Sequence, residues 1–350
     1  MRLIYTLFIT LLASLAYGAP SISTVPGAPT HGGQLSIVGT GFGTKSPAAP
    51  VLWAPFDSGL NPSGLGVATA WQMHSAGIYH SPGTGFSGGS ARVYADAHSS
   101  EMLVLRVVGW HFNDPGQRSY IHRRAKRLYN SSMAPGGDVD GNGGLKSLLL
   151  DYNSTYADSI VLNRSSNQWI TQNLGDSYYY FGAANDKRAW QVEEFELEAN
   201  STSMAACVLR TYIDHSLVKA SPTDGLVSMW AAGDQLLNDL SFWRYMSAAT
   251  LSAAQVDEYW DDLYVDSTWA RVVIGDASTL SASTHREIQI PSAWSDSGIT
   301  ITINQGAFAP GDTAYLYVID AAGVASEGRA ITFGSAPVPG RHRFRSVTNE

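Results

Sequence analysis

The sequence predicts an all-β chain of two sandwiches, one inserted into the other. Three observations predict it. Short runs of alternating polar and apolar residues, bounded by Gly, Asn, Asp, Ser and Pro clusters, recur along the chain, and long helical periodicities are missing. The 34 glycines and a charged fraction of only 15% suit turns and half-buried strands better than long solvated helices. Finally, "HGGQLSIVGTGFGTK", residues 31–45, opens a small domain that is not finished nearby, whereas strands of the same style return near the C-terminus without an opening.

At the N-terminus, Arg2 precedes an apolar run over 3–15, and Ala16-Tyr17-Gly18 offers small residues where a signal peptidase cuts. Residues 1–18 therefore read as a signal peptide and the protein as secreted, extracellular or periplasmic. The run is too short for a comfortable membrane span, and no other segment is apolar enough for one. A net charge of −8 argues against general nucleic-acid binding. Cys207 is the lone cysteine, so no internal disulfide is expected, and its apolar surroundings read as buried packing.

The first segment of the mature chain carries a strand over 34–38 and then Gly39, Gly41 and Gly43. Its counterpart begins with an alternating run over 286–290. Residues 299–303 read Ile-Thr-Ile-Thr-Ile, with isoleucine on one face and threonine on the other. A turn at 309–312, a strand over 314–319, a turn at 321–323 and a last strand over 330–333 complete an immunoglobulin-like pattern. "LSIVGTGFGTK" and "WSDSGITITINQGAFAPGDTAYLYVIDAAGVAS" resemble the two halves of a TIG/IPT domain, an immunoglobulin-like module. The resemblance implies one discontinuous domain, 19–52 plus 284–334, with a guest between its halves. Residues 51–57 and 260–266 can pair antiparallel and bring the guest's two ends together, which keeps such an insertion tolerable. The proline- and arginine-rich residues 335–350 read as a disordered tail.

The guest, 53–283, reads as many short strands: 90–95, 102–108, 118–124, 146–150, 159–162, 178–181, 190–198, 206–213, 225–230 and 259–266, with one short helix over 251–257. That spacing suggests a two-sheet sandwich or jelly roll. "WQVEEFELEANS", "RTYIDHSLVKA" and "YWDDLYVD" resemble the back half of a concanavalin A-like lectin/glucanase domain. That group includes LamG-type binding modules and several polysaccharide lyases. The resemblance implies a fold style and not an activity.

Several motifs imitate chemistry. "GTGFGTKS" lacks the glycine a phosphate loop needs before its lysine. "GFSGG" matches a hydrolase elbow, but a strand follows where a helix is required. "DVDGNGG" begins like an EF-hand, yet Leu149 stands where the bidentate Glu belongs. A looser calcium site at Asp138, Asp140 and Asn142 remains open, against a solvated turn. No other cofactor is indicated.

The basic stretch "RSYIHRRAKR" is the most distinctive. As a strand it puts Arg118, Tyr120, His122 and Arg124 on one face and Ser119, Ile121 and Arg123 on the other. A lyase acting on a uronate polymer needs such a set: a cation to neutralise the carboxylate, a Tyr or His to remove the proton beside it, and a donor to the leaving oxygen. The same cluster could bind an anionic glycan without chemistry, or form the solvated face of an edge strand. Trp110, Trp169, Tyr178 and Tyr180 could form a sugar-stacking platform with Arg123 beside it, and each could equally be core. Glu194, Glu196 and Glu198 alternate with apolar residues and read as the wet face of a half-buried strand; their spacing fits a retaining glycosidase poorly.

The expectation is a secreted, non-catalytic protein that binds a polysaccharide or cell-surface glycan. Two alternatives stand beside it. One is a polysaccharide lyase using Tyr120 and His122 with Arg118 or Arg124. The other is a structural or adhesive surface protein.

Overall fold

The computed structural model describes residues 18–57, 69–74, 77–81, 86, 89–95, 101–107, 116–129, 145–152, 155–165, 168–173, 177–181, 189–198, 208–221, 239–246 and 256–334. The leader, Trp110, Asp138, Asp140, Asn142, Cys207, the run 225–230 and the C-terminal tail lie outside them. Among the described residues the chain is all-β, apart from a three-residue 3-10 turn at Leu280–Ala282. No described helix is long and apolar enough to cross a membrane.

The early strands are β1 (Ser21–Thr24), β2 (Gln34–Thr40), β3 (Leu52–Ala54), β4 (Thr69–His74), β5 (Gly77–Ser81), β6 (Ser90–Ala95) and β7 (Glu101–Val107). The middle ones are β8 (Arg118–Tyr129), β9 (Leu145–Tyr152), β10 (Thr155–Ser165), β11 (Gln168–Asn173), β12 (Ser177–Phe181), β13 (Gln191–Glu198), β14 (Val208–Ile213), β15 (Ser216–Ser221) and β16 (Asp239–Met246). The late ones are β17 (Val256–Asp266), β18 (Arg271–Gly275), β19 (Arg286–Ile288), β20 (Ile290–Ser295), β21 (Gly298–Thr302), β22 (Thr313–Ile319) and β23 (Arg329–Thr332).

Among the described residues all pairings are antiparallel and build four sheets. A seven-stranded sheet runs β12-β11-β10-β9-β16-β7-β4. An eight-stranded sheet runs β15-β14-β13-β8-β17-β6-β5, with β3 also on β17. Two four-stranded sheets run β1-β2-β21-β20 and β19-β18-β22-β23.

The pairing of β2 with β21 joins residues far apart in sequence, Leu35 opposite Ile301 and Ile37 opposite Ile299. Both strands alternate, so their apolar faces meet one core containing Leu35, Ile37, Phe42, Ile299, Ile301, Ile303, Leu316 and Val318. The early glycine series has a steric cause. A Cβ on Gly39 would lie 2.0 Å from the Ser21 carbonyl oxygen and 2.4 Å from the Phe42 ring. Gly41 and Gly43 take φ of +73° and +69°, where other residues are strained. The loop they shape is held by the Trp294–Gly298 turn: Phe42 N–H donates to Asp296 O, Gly43 N–H to Asp296 Oδ1, and Trp294 Nε1–H to Phe42 O.

Strand β3 pairs with β17, Leu263 opposite Ala54 and Val265 opposite Leu52. Two details differ from the sequence reading. Val256 and Asp257, placed in a helix, begin β17 instead, because this run continues the ladder with β8 and β6. And β18, counted with the insert, hydrogen-bonds to β19 and β22. The boundary at 284 therefore falls too late by a whole strand. All five β18 residues are buried, since the strand is covered on both faces.

The two larger sheets face each other. Phe242 on β16 lies 6.5 Å from Trp260 on β17, ring to ring. The outer face of the eight-stranded sheet is in turn covered by the β19-β18-β22-β23 sheet. Tyr120 and Tyr264 from one side join Val273, Ile288, Tyr317 and Ile319 from the other in a second apolar cluster.

Candidate functional site in the groove between the sandwiches

Strand β8 occupies the centre of the eight-stranded sheet, with β13 on one side and β17 on the other. Its alternation holds as expected, but the consequence differs. The edge-strand reading fails, because both ladders of β8 are filled. Neither face is wet: Tyr120, His122, Arg123 and Arg124 are each at most 2% exposed.

Arg123 points inward and pairs with Glu193, and its guanidinium sits 6.0 Å from the Phe242 ring centre. It is a core ion pair and cannot reach a glycan. Of the platform expected around it, Trp110 lies outside the described residues, and positions 169, 178 and 180 belong to β11 and β12, which pair 169 with 181 and 170 with 180.

The outward face is a ladder of charges. Cross-strand register sets Glu194 opposite His122 and Tyr212, Glu196 opposite Tyr120 and Arg210, and Glu198 opposite Arg118. Glu194 and Glu196, expected on a wet face, are therefore matched to basic and hydroxyl partners on both sides, and Glu198 to Arg118 on one side and Val208 on the other. Arg118 bonds Glu198 Oε2 at 3.1 Å, donates to Ala321 O, and lies 4.2 Å over Trp269. Arg124 bridges Asp262 and Glu287 at 3.0 and 2.7 Å.

Two carboxylates organise the rest. Tyr120 Oη donates to Glu194 Oε1, and His215 Nδ1 lies 2.8 Å from Glu194 Oε2. His122 Nδ1 stands 3.9 Å away, too far for a hydrogen bond. Burial alone would push the Glu194 carboxyl up; the two imidazoles outweigh it and hold it well below the carboxylate range. Burial and the Glu194 charge push the Tyr120 phenol well up, so it stays a donor. Burial pushes His122 down, so its ring is kept neutral. Glu196 receives Arg271 Nη2 at 2.9 Å on one oxygen and Arg210 Nη1 and Tyr212 Oη, both at 3.1 Å, on the other.

His215 reaches Glu194 through a strained turn. Asp214 and His215 take φ of +47° and +65° in the two-residue link between β14 and β15. This link matches strand twist, but side chains make it costly, by about 1–3 kcal/mol per residue. Asp214 repays part of this by bonding the start of β13: its N–H donates to Val192 O and its Oδ1 accepts from Val192 N–H, both 2.9 Å.

Beside this face the two sandwiches part and leave an open groove of about 830 Å³. One wall carries Glu194, Glu196, Arg210, Tyr212 and His215. The other carries Arg271 and Arg286 with the 279–281 turn and residues 323–327. Arginines and glutamates balance in number, three of each, and hydroxyls fill the gaps. Of the four residues expected to do chemistry, none lines this groove; Tyr120 and His122 stand one layer behind it.

Sequence reasoning missed Arg210, Tyr212, His215, Arg271 and Arg286 as site residues. A signal for the first three was present. "RTYIDHSLV" is an alternating run, a two-residue turn and a second run, which is a hairpin pattern placing Arg210 and Tyr212 on one face. Arg271 and Arg286 belong to the other sandwich, and nothing local points to them.

Comparison with protein families and with curated proteins gives no match. Among solved structures, an endo-β-1,4-glucuronan lyase from the fungus Trichoderma reesei is similar with a TM-score of 0.43 and 11% identity, over 57% of this chain and 92% of that one. The alginate lyase Aly36B is similar at 0.38 and 12%, over 63% and 98%. The binding domain of botulinum neurotoxin serotype G is similar at 0.41 and 9%, over 82% and 80%. Likeness at these scores leaves function to be argued from the groove.

Proposed function

We propose that this chain binds saccharide in the groove between its two sandwiches. The observation that carries the reading is the fixed constellation on Glu196. Arg210, Arg271 and Tyr212 are held by one carboxylate and still line open space. A sugar ring offers adjacent hydroxyls, each both donor and acceptor. Planar guanidinium and carboxylate groups meet such pairs two bonds at a time, and preorganised side chains lose little entropy in doing so. A groove dominated by these groups suits a polyhydroxylated ligand better than an apolar one. Its volume lies in the range of ligand-holding clefts.

The test is retention of the full chain on immobilised polysaccharides, neutral and uronate-containing. Arg210→Ala is expected to weaken retention at least about tenfold, the loss of one charged hydrogen-bonding group. Unchanged retention would place the ligand elsewhere.

A second reading, β-elimination on a uronate polymer, has one observation in its favour. A His215 tautomer with its proton on Nδ1 donates to Glu194 and leaves Nε2 as an acceptor, the arrangement of an oriented general base. His215 Nε2 would take the proton beside the uronate carboxylate while Arg210 or Arg286 opposes the developing charge; the glycosidic C–O bond at the β carbon would break with its electron pair on the oxygen, which takes a proton from water, giving an unsaturated sugar and a new hydroxyl. New ultraviolet absorbance on a uronate polymer, lost in His215→Ala, would establish it. Retention without absorbance leaves the chain a binder.

A further inference from the structure

The junction holds a second cluster of ionisable groups, away from the groove wall on Glu196. Strand β17 is bulged here. Asp261 pairs with Arg124 and Tyr264 with His122, so Asp262 and Leu263 together oppose Arg123. Asp262 takes a φ of +50° to do so. The bulge keeps Asp261 on the outward face, brings Tyr264 and Asp266 onto that face as well, and aims Asp262 at Arg124.

Consecutive aspartates thus stand side by side at the junction, 0% and 1% exposed. Asp261 accepts from the Phe86 N–H at 2.7 Å and from the Asp262 N–H at 2.9 Å. Arg124 pairs with Asp262, but it also pairs with Glu287 of the other sandwich and donates to the Arg286 carbonyl. Glu287 in turn meets His285 at 2.8 Å and accepts from the Ala307 N–H. Gly306 stands in the same place, where a Cβ would lie 1.9 Å from the Glu287 carboxylate. Asp57, after β3, adds its negative charge to both aspartates. Asp262 and Glu287 therefore share one guanidinium, divided between the two sandwiches, with the Asp261 and Asp57 charges beside them. Arg286 turns its own guanidinium to the Leu280 carbonyl, and His285 stacks on Phe86.

We propose that Asp261 and Asp262 form a proton-binding site between the two sandwiches, which dock tightly when it is protonated and loosen when both carboxyls ionise. Two ionised carboxylates this close, out of water and with a fraction of one counter-charge, repel each other and Glu287; a proton on one removes the repulsion and supplies a donor. The same surroundings move the equilibria in that direction. Burial, then Asp262, pushes Asp261 up to about 8; burial, despite Arg124, pushes Asp262 up to about 7. A carboxyl raised above its ordinary 3.8 carries stability that is complete below that value and lost as pH rises through the folded one. Stability from this pair therefore falls between about pH 4 and pH 8. Arg286 lies beside Glu287 and also lines the groove, so the junction and the groove share a segment. The proposal itself does not depend on the groove's ligand.

Two measurements on the full chain decide it. With aspartate carboxyl carbons labelled, two resonances are expected to titrate above pH 6, and Asp261→Asn is expected to remove one and lower the other. Thermal midpoints are expected to fall by roughly 3 °C or more between pH 6 and pH 9, with Asp262→Asn flattening that fall. If every aspartate titrates below pH 5, or if the midpoints of both proteins run parallel, the proposal is overturned. The carboxyl titration needs no variant, so a substitution that fails to fold still leaves the wild-type titration to decide.

Discussion

Arg123 and Arg124 are chain neighbours with almost the same burial and opposite surroundings. Arg123 enters the inner face of the eight-stranded sheet, among Phe195, Leu197 and Phe242, and meets the Glu193 carboxylate. Arg124 enters the outer face and is divided between Asp262, Glu287 and a carbonyl of the other sandwich. The inner face is a hydrophobic core with the Arg123–Glu193 pair and Glu258 embedded in it. The outer face is a charged ladder over which the β19-β18-β22-β23 sheet has been laid. A buried pair such as Arg123–Glu193 is weak evidence of stabilisation, since removing two ions from water costs about what their attraction returns. A shared network such as that of Arg124 ties two units in one register, because each partner constrains the others.

That contrast can be broken in graded ways. The largest effect is expected inside. Glu193→Ala removes a buried carboxylate partner of Arg123 and should cost about 3–5 kcal/mol in urea unfolding. Joint replacement with Arg123→Met and Glu193→Leu should recover most of that loss. A double variant as unstable as the single one would mean that the pair holds the core together. Phe195→Ala on the same face should cost a similar amount, about 3–5 kcal/mol, through its cavity.

On the outer face Tyr120→Phe removes one donor from Glu194 and should cost about 1–3 kcal/mol. A loss as large as that of Phe195→Ala would erase the distinction between the faces. Acid should act on the outer face as well. His122 is held neutral by burial, whereas the unfolded chain takes a proton near 6.5, so stability from this residue is lost as pH falls below about 6.5. Between pH 7 and pH 5 the midpoint of the wild type should fall relative to that of His122→Gln. The sign of this fall is opposite to that of Asp261 and Asp262, which is why comparison with a variant separates the two. The smallest effect is expected at the rim, where Arg118 and Glu198 are 29% and 27% exposed. Arg118→Ala should cost less than about 1 kcal/mol.

Much of the strand layout was legible because alternation is a local property. The Ile-Thr ladder over 299–303 and the run over 34–38 each announce one apolar face, and the two faces meet in one core. Strands with weaker alternation, such as β4, β11 and β16, give no such signal. β18 gives none for a different reason: buried on both faces, it shows no alternation to read. Parity on β8 groups Arg118 with Tyr120, His122 and Arg124 but does not name the neighbours of that set.

The sequence by itself determined parity: which residues of a strand stand together, and which turns demand glycine. These follow from the geometry of a few consecutive residues. Only the tertiary structure decided what each face meets. Glu194 and Glu196 look like solvated carboxylates until β14, β18 and the second sandwich close over them. His215 looks like a turn residue until the strain at Asp214 swings it onto Glu194. Burial, partnership and protonation depend on groups brought from other strands, 14 residues away for Arg210 on Glu196 and 163 for Glu287 on Arg124, and no local pattern encodes those distances.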